Sequence, residues 1–510
     1  MITLTVVGLF LVGEFGVPWD EWYLKENAQR NWEWINSLLF GGRNKEEIFF
    51  GNVDEHGPVV QMLILGVEKI SGASSQNDIL WIRHITGYFL CLFGVYSLLR
   101  LLKLIEFKNW QIVLTVSLIV FHPRVFGHSF FNSKDTVLMY LFIVSVYLLI
   151  KYWANRKLIF LIGFGIVSAI ITDMRLIGMV LPIILTILWF LENITQYKWQ
   201  NLNRLGINLV LLWGIVGIAV ILFWPFLWNE PLLIIEKIRS LSKAAQPNPT
   251  FFEEQFFSAH QLPLYYIPKF ILITTPIPAM LIACCSIIST WVLWLNRRMV
   301  LKNKALVFVV VSWLILAAVF VGLFVAKPVL YNGWRHFQFV WPFMVIPGVF
   351  GSKWLVELKV RSTKFLMVGS LVVGAFMLSI NISYFPFSHT YFNEIVKFPS
   401  NAYEVDYWGL SFKQGVDWLE QNEEGGSVYF SDKPGRLNYS MASDNFKNRF
   451  ELSACVDSAD FYVTNYCYFD HFNLPVWHGK RAMNHYPFNQ ELIYTISRER
   501  VAILAIYRLN

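Results

Sequence analysis

Residues 109–152 read NWQIVLTVSLIVFHPRVFGHSFFNSKDTVLMYLFIVSVYLLIKY. Two apolar runs, each nearly free of charge, flank a loop that concentrates His122, Arg124, His128, Lys134 and Asp135. The hydrocarbon core of a bilayer is about 30 Å thick, and roughly 20 mostly apolar residues cross it as a helix. Residues 109–126 and 136–152 are therefore read as two membrane spans joined by a short polar turn. Similar apolar blocks recur on both sides of this stretch as far as residue 384.

Composition agrees with that reading. Of the 510 residues, 55% are hydrophobic and only 15% charged, where a soluble chain carries nearer a quarter charged. The expected fold class is a polytopic α-helical membrane protein of about eleven spans, at about 1–18, 80–104, 109–126, 136–152, 158–172, 175–192, 206–228, 268–295, 305–326, 337–356 and 364–384. Ile2 to Val17 has no basic leader and no convincing cleavage site, so it is read as a first span shortened by a late start rather than as a removable signal. Gly57 to Ile70 is apolar but too short to cross, and suits an interfacial or re-entrant helix.

The net charge of +7 does not imply nucleic acid, because the basic residues fall in short loops between spans. Arg100/Lys103/Lys108, Lys151/Arg156/Lys157, Lys198/Arg204, Arg297/Arg298/Lys302/Lys304 and Lys353/Lys359/Arg361/Lys364 occupy alternate loops. Excess positive charge marks the cytoplasmic side, so the chain is expected to start inside and end outside. The domains are read as a membrane part, 1–384, and an extracytoplasmic α/β domain, 385–510. The tail has a polar helical stretch at 411–422, short strands at 427–431 and 461–464, and a closing pair at 492–497 and 501–508. Cys91, Cys284 and Cys285 lie in apolar blocks and read as small buried hydrophobes. Cys455 and Cys467 both lie in the tail, and their spacing leaves a disulfide open.

The chemically richest segments all fall on the external side. Pro18-Trp19-Asp20-Glu21-Trp22 sets two adjacent carboxylates between tryptophans directly after a span. A solvated interfacial turn explains it; so does a general base beside the membrane, one carboxylate acting and the other orienting a partner. Asp54, Glu55 and His56 have donor atoms for a divalent cation such as Mg2+ or Mn2+, but their spacing specifies none, and capping of the following helix explains them equally. In the 122–135 loop, Asn132 or Ser133 would cap the next helix with Asp135 complementing its positive end. Capping leaves Arg124, His128 and Lys134 unexplained, and a helix N-terminus flanked by cations suits a phosphate. Arg175 and Arg335, the latter within Tyr331-Asn332-Gly333-Trp334-Arg335-His336, lie at external span ends. Snorkelling accounts for each, as does bidentate binding of a phosphate head group.

At these residues the sequence resembles the GT-C superfamily of membrane glycosyltransferases, and most closely the dolichyl-phosphate-mannose protein mannosyltransferases of glycosyltransferase family 39 with their bacterial relatives. The resemblance is carried by Asp20-Glu21, Glu55-His56-Gly57-Pro58, Pro123-Arg124 through Asn132-Ser133-Lys134-Asp135, Arg335-His336-Phe337, Tyr391-Phe392-Asn393-Glu394 and Asp406-Tyr407-Trp408-Gly409. Gly57 stands where related chains often have a second proline. The resemblance implies an inverting transferase that moves mannose or a similar hexose from a polyprenyl-phosphate donor to a hydroxyl on protein, lipid or glycan. It also implies residence in a bacterial inner membrane with the site facing outward. Asp20 would be the catalytic base, Glu21 its neighbour, and Asp135 a second catalytic carboxylate. His56, Arg124, His128, Lys134, Arg175, Arg335 and His336 are the expected substrate-binding residues. A transporter or flippase of polyprenyl-linked sugars, or a non-catalytic envelope-assembly subunit, has similar membrane content; the gathering of polar residues at one surface and the lack of paired halves favour the transferase.

Overall fold

The computed structural model describes residues 1–41, 57–195, 202–228, 231–232, 250–258, 261–296, 300–325, 328–357, 362–466 and 490–509. Asp54, Glu55, His56 and Cys467 lie outside the described residues. Among those described, six helices are long and apolar enough to cross a membrane: Gln76–Leu104, Asp135–Asn155, Leu176–Ile194, Leu205–Phe223, Lys304–Val325 and Thr363–Tyr384. Their outward faces are apolar, as on Thr363–Tyr384, which exposes Phe365, Val368, Leu371, Val372 and Ile382. The chain is a polytopic helical membrane protein carrying a small C-terminal α/β domain.

Several expected spans are shorter or broken, each for a local reason. Residues 109–126 are not one helix: Asn109–Val120 stops before His122-Pro123, and a separate turn of helix, Pro123–His128, starts on the proline. Proline removes a backbone donor and disfavours helix in the residue before it. The expected span 268–295 is three helices, Tyr266–Thr274, Ile277–Cys284 and Ser286–Leu295, the first break falling at Thr275-Pro276. Ile2–Leu11 runs into a 3-10 turn, Val12–Glu14, and is extended by Phe15. Residues 337–356 begin as a 3-10 helix, Arg335–Val340, before Trp341–Glu357. Cys284 is exposed and Cys285 half-buried, so only Cys91 is a core thiol.

Two further helices precede the first long crossing helix. Val59–Ser71 fills the place expected of an interfacial helix and buries Val60, Ile64 and Leu65. Glu21–Phe40 was not foreseen, because its charged and amide residues lower its hydropathy below that of a span. It buries Leu24, Ala28 and Trp34 along one face, the usual stripe of a half-buried helix. Within the membrane part, Gln76–Leu104 packs on Asp135–Asn155, which packs on Leu158–Met174, which in turn meets Leu202–Phe223.

A short hairpin, β1 (Thr250–Phe252) and β2 (Gln255–Phe257), pairs antiparallel, and Phe252 bridges to Tyr403. The tail then builds a five-stranded sheet from β3 (Gly426–Phe430), β4 (Phe450–Leu452), β5 (Phe461–Thr464), β6 (Glu491–Arg498) and β7 (Val501–Arg508), in the order β4-β3-β5-β7-β6. The β3–β4 and β3–β5 pairs are parallel, while β7 runs antiparallel to both β5 and β6. The Phe412–Asn422 helix covers the sheet with Phe412, Val416 and Leu419.

The sheet domain is fastened to the first external segment. Asn438 brackets Val17, accepting from its N–H at 3.0 Å and donating to its carbonyl at 3.2 Å. Lys413 Nζ donates to Gly13 O at 2.8 Å and Gln414 Nε2 to Glu14 O at 3.1 Å. Between the two parts, Asn393 donates to Leu272 O and Thr275 O, satisfying backbone carbonyls near the break before Pro276.

Candidate active site

Three segments far apart in sequence meet at the helix ends that face the C-terminal domain. Asp20 is the N-cap of Glu21–Phe40, yet its side chain makes no capping bond, which leaves the carboxylate for other partners. Asn332 and Gly333, both at positive φ, reverse the chain before Arg335. Gly333 N–H then donates to Tyr266 Oη at 2.9 Å, and Trp334 Nε1 donates to Thr274 Oγ1 at 2.8 Å, pinning the turn. Asn132 Oδ1 caps Asp135–Asn155, accepting from the N–H groups of Lys134 at 3.1 Å and Asp135 at 2.8 Å. With the cap supplied by Asn132, the Asp135 carboxylate points into the site.

Arg335 joins these segments. Its Nη1 donates to Asp20 Oδ2 at 3.1 Å and stands 3.7 Å from Asp135 Oδ2. Arg175, on extended backbone just past Met174, donates from Nη2 to Asp135 Oδ1 at 2.5 Å. The Arg335 guanidinium also lies over the Trp408 ring at 4.6 Å and the Tyr331 ring at 5.0 Å, where cation–π attraction holds its plane. Asp135 is 1% exposed at its side chain, and Asp20 23%. The buried carboxylate is committed to two arginines, while the accessible one has an edge free to meet a reactant.

Lys134, beside them, is the titrating member. Burial, with Arg175 and Arg335 nearby, pulls its ammonium down to about 8 against the opposing pull of Asp20 and Asp135. Burial works against charge on Arg335 too, but Asp20, Tyr331 and Asp135 more than offset it and hold the guanidinium above its ordinary range. His336 is pushed well below the usual histidine range by burial and then by Arg175 and Arg335. It packs edge-on to Tyr331 at 4.7 Å and is neutral here.

The remaining expected residues take other places. Glu21 does not share Asp20's partners. Its carboxylate binds Arg83 Nε inside the protein, and Arg83 also donates to Gln61 Oε1 at 3.0 Å and to Glu68 Oε2 at 3.4 Å. Gln61 in turn donates to Ser133 Oγ at 2.9 Å, so this network braces both the helix start after Asp20 and the loop before Asp135. His128 accepts from Trp408 Nε1 at 3.2 Å, and burial pushes its imidazole well below the usual range, as an acceptor nitrogen requires. It sits under the indole that supports Arg335. Arg124 is buried against the Phe392 ring at 5.2 Å, with no hydrogen-bond partner for Nε or Nη2 among the described residues.

Sequence reasoning passed over Arg83, and it quoted Trp408 within a resembling segment without giving it a role in the site. A lone arginine within the apolar run Leu80–Leu99 was the available signal for the first, since a charge in a span seldom lacks a buried partner. Asp173 was another. Its Oδ2 accepts from Val59 N–H at 3.0 Å and its carbonyl from Gly57 N–H at 2.8 Å, starting the Val59–Ser71 helix. A Cβ on Gly57 would fall 1.8 Å from Asp173 Oδ1, which accounts for glycine there.

A divalent cation fits poorly between Asp20 and Asp135, because the Arg335 guanidinium already bridges them. Among the described residues no three metal-ligating side chains gather. What the arrangement offers instead is an accessible carboxylate beside three cations, in a setting where the cations outnumber the carboxylates. Such a set can accept a proton at one point and stabilise a leaving anion at another.

Fold and site together define a polytopic membrane protein with an acid–cation centre on the side that carries its C-terminal domain. Solved structures similar to this chain include ArnT from Cupriavidus metallidurans bound to undecaprenyl phosphate, 11% identical with a TM-score of 0.48, covering 99% of this chain and 97% of that one. The Archaeoglobus fulgidus oligosaccharyltransferase in complex with Zn and sulfate is 11% identical with a TM-score of 0.48, covering 91% and 68%. AglB from the same organism, in complex with an inhibitory peptide and a dolichol-phosphate, is 11% identical with a TM-score of 0.46, covering 91% and 69%. No protein-family model and no curated protein matches the chain.

Proposed function

We propose that this chain is a GT-C-type inverting glycosyltransferase that moves a sugar, mannose or a similar hexose, from a polyprenyl-phosphate donor to a hydroxyl on protein, lipid or glycan. The observation that carries the reading is the Arg335 Nη1 bridge between Asp20 and Asp135. It brings the acidic first loop and the cationic later loops to one point at the membrane surface. Asp20 takes the proton of the acceptor hydroxyl as that oxygen attacks the anomeric carbon from the face opposite the phosphate. The bond from the anomeric carbon to the phosphate oxygen breaks with its electron pair, and polyprenyl phosphate leaves as an anion held by Arg335, Lys134 and Arg175. No general acid is needed for that leaving group. A donor phosphate also competes for Arg335, which releases the Asp20 carboxylate as the donor binds.

The polar groups gather at helix ends rather than along a mid-membrane path, which favours transfer over transport. The test is purified full-length protein in nanodiscs with a panel of polyprenyl-phosphate sugars, with and without chelator. One donor is expected to be consumed with inversion at the anomeric carbon, at a rate unchanged by chelation. Intact sugar lipid crossing the bilayer, or no donor consumed, would overturn the assignment. Loss of rate on chelation, restored by Mg2+ or Mn2+, would overturn the metal-free step.

A further inference from the structure

A cavity of about 480 Å3 opens between the first external segment, the start of Gln76–Leu104, and the C-terminal domain. That volume lies within the range of small-molecule sites, roughly 300–1,000 Å3. None of the site residues described above lines it, although residues of the Val12–Val17 stretch that leads into Asp20 form one wall.

Its lining has a definite chemistry. Asp78, Asp417 and Glu420 contribute carboxylates, and Trp81, 40% exposed, contributes an indole. Asp78 Oδ2 already accepts from Ser75 Oγ at 2.6 Å, and Glu420 Oε1 from Ser443 Oγ and from Asn445 Nδ2 at 3.0 Å, which leaves Asp417 and the second oxygens of Asp78 and Glu420 for a ligand that donates hydrogen bonds. Among the described lining residues Lys413, whose Nζ donates to Gly13 O at 2.8 Å, stands against three carboxylates, so the net charge disfavours an anion. An aromatic face beside convergent acceptors suits the apolar C–H face and the hydroxyls of a sugar ring. Buried His84 lines the same cavity. Its Nε2 has no hydrogen-bond partner, and Glu21 Oε2 stands 3.9 Å away, beyond bonding range.

We infer that this cavity binds a neutral or amino sugar and holds the glycan part of the acceptor. Naming the occupant as acceptor rests on the transferase reading; sugar binding itself does not. The shared wall then has a purpose: residues that touch the bound glycan run without a break into the helix start that carries Asp20.

Full-length protein in nanodiscs would be titrated with N-acetylglucosamine, glucosamine, chitobiose and cellobiose, and with a lysine-rich peptide as the contrasting ligand. Binding would be read by saturation-transfer NMR and calorimetry. At least one sugar is expected to bind, with Kd raised about tenfold or more in Trp81→Ala and in Asp417→Asn. Asp20→Asn should leave that Kd unchanged. In transfer assays the two cavity variants should raise KM for the acceptor and not for the donor. The proposal is overturned if no sugar binds, if only the peptide binds, or if both cavity variants bind as wild type does. Sugar binding without any donor turnover would keep the cavity assignment and remove the transferase; turnover with acceptor KM unchanged in both variants would do the reverse.

Discussion

Asp20 sits at a helix start without capping it, and Asp135 sits at another with its cap supplied by Asn132. Both carboxylates are drawn to one guanidinium, Asp135 while also accepting from Asn132 Nδ2 at 3.2 Å, and on the transferase reading they are the chemical centre of this molecule. Asp20→Asn keeps shape and removes basicity, so transfer should fall by about 10²- to 10⁴-fold while the melting profile is unchanged. Wild-type turnover in that variant would exclude Asp20 as base. Arg335→Ala removes a charge-assisted contact of about 1.5–3 kcal/mol, and should raise KM for the phospholipid donor more than it alters acceptor KM. Lys134 supplies the pH signature. With its pKa at about 8, it is charged below that pH and neutral above it, so kcat/KM for the donor should fall as pH rises through about 8. Lys134→Arg stays charged across that range and should flatten the limb; a profile identical to wild type would show that Lys134 does not meet the phosphate. The carboxylates and cations were legible in the sequence because charge at span ends is conspicuous. Trp408 and Tyr331 stood in quoted segments, but their stacking on Arg335 was not legible, since aromatics are common in this chain and nothing local marks which ones face a cation.

At the level of elements, long apolar helices were legible from hydropathy, and their interruptions less so. The breaks before Pro123 and Pro276 had their prolines in plain view, but average hydropathy over a window runs through a single residue. Glu21–Phe40 escaped for the opposite reason: its charged and amide residues pull its mean hydropathy below that of a crossing helix. The Val59–Ser71 helix depends on a carboxylate from another span. In Gly57→Ala the new methyl would displace the Asp173 side chain and forfeit its bond to Val59 N–H, at a cost of about 1 kcal/mol in thermal unfolding. Asp173→Ala should cost about the same, and the double variant no more than either alone. Additive losses would mean that the two residues act separately.

Across the whole molecule, the tail's helix and strands were legible from alternation and turn residues, while its docking was not, because the sequence carries no sign of which polar side chain will reach back to the start of the chain. Asn438 does so, and Trp19 N–H donates to Trp408 O at 3.2 Å alongside it. Asn438→Ala removes both buried hydrogen bonds to Val17, together with those to Pro434 O and Gly409 O, and should loosen the domain by about 1–3 kcal/mol. Limited proteolysis should then cut faster between residues 385 and 411, with a several-fold loss of transfer; unchanged cleavage would place the grip elsewhere. This clasp also orders the assembly of the molecule in time. The six described helices long enough to cross the bilayer all leave the ribosome before Trp408 and Asn438 do, so the inserted bundle waits for residues 385–438 to be made. A chain halted in translation after Tyr384 would be threaded through its membrane yet lack the indole on which Arg335 rests, and on the transferase reading no half-built version of it could act early.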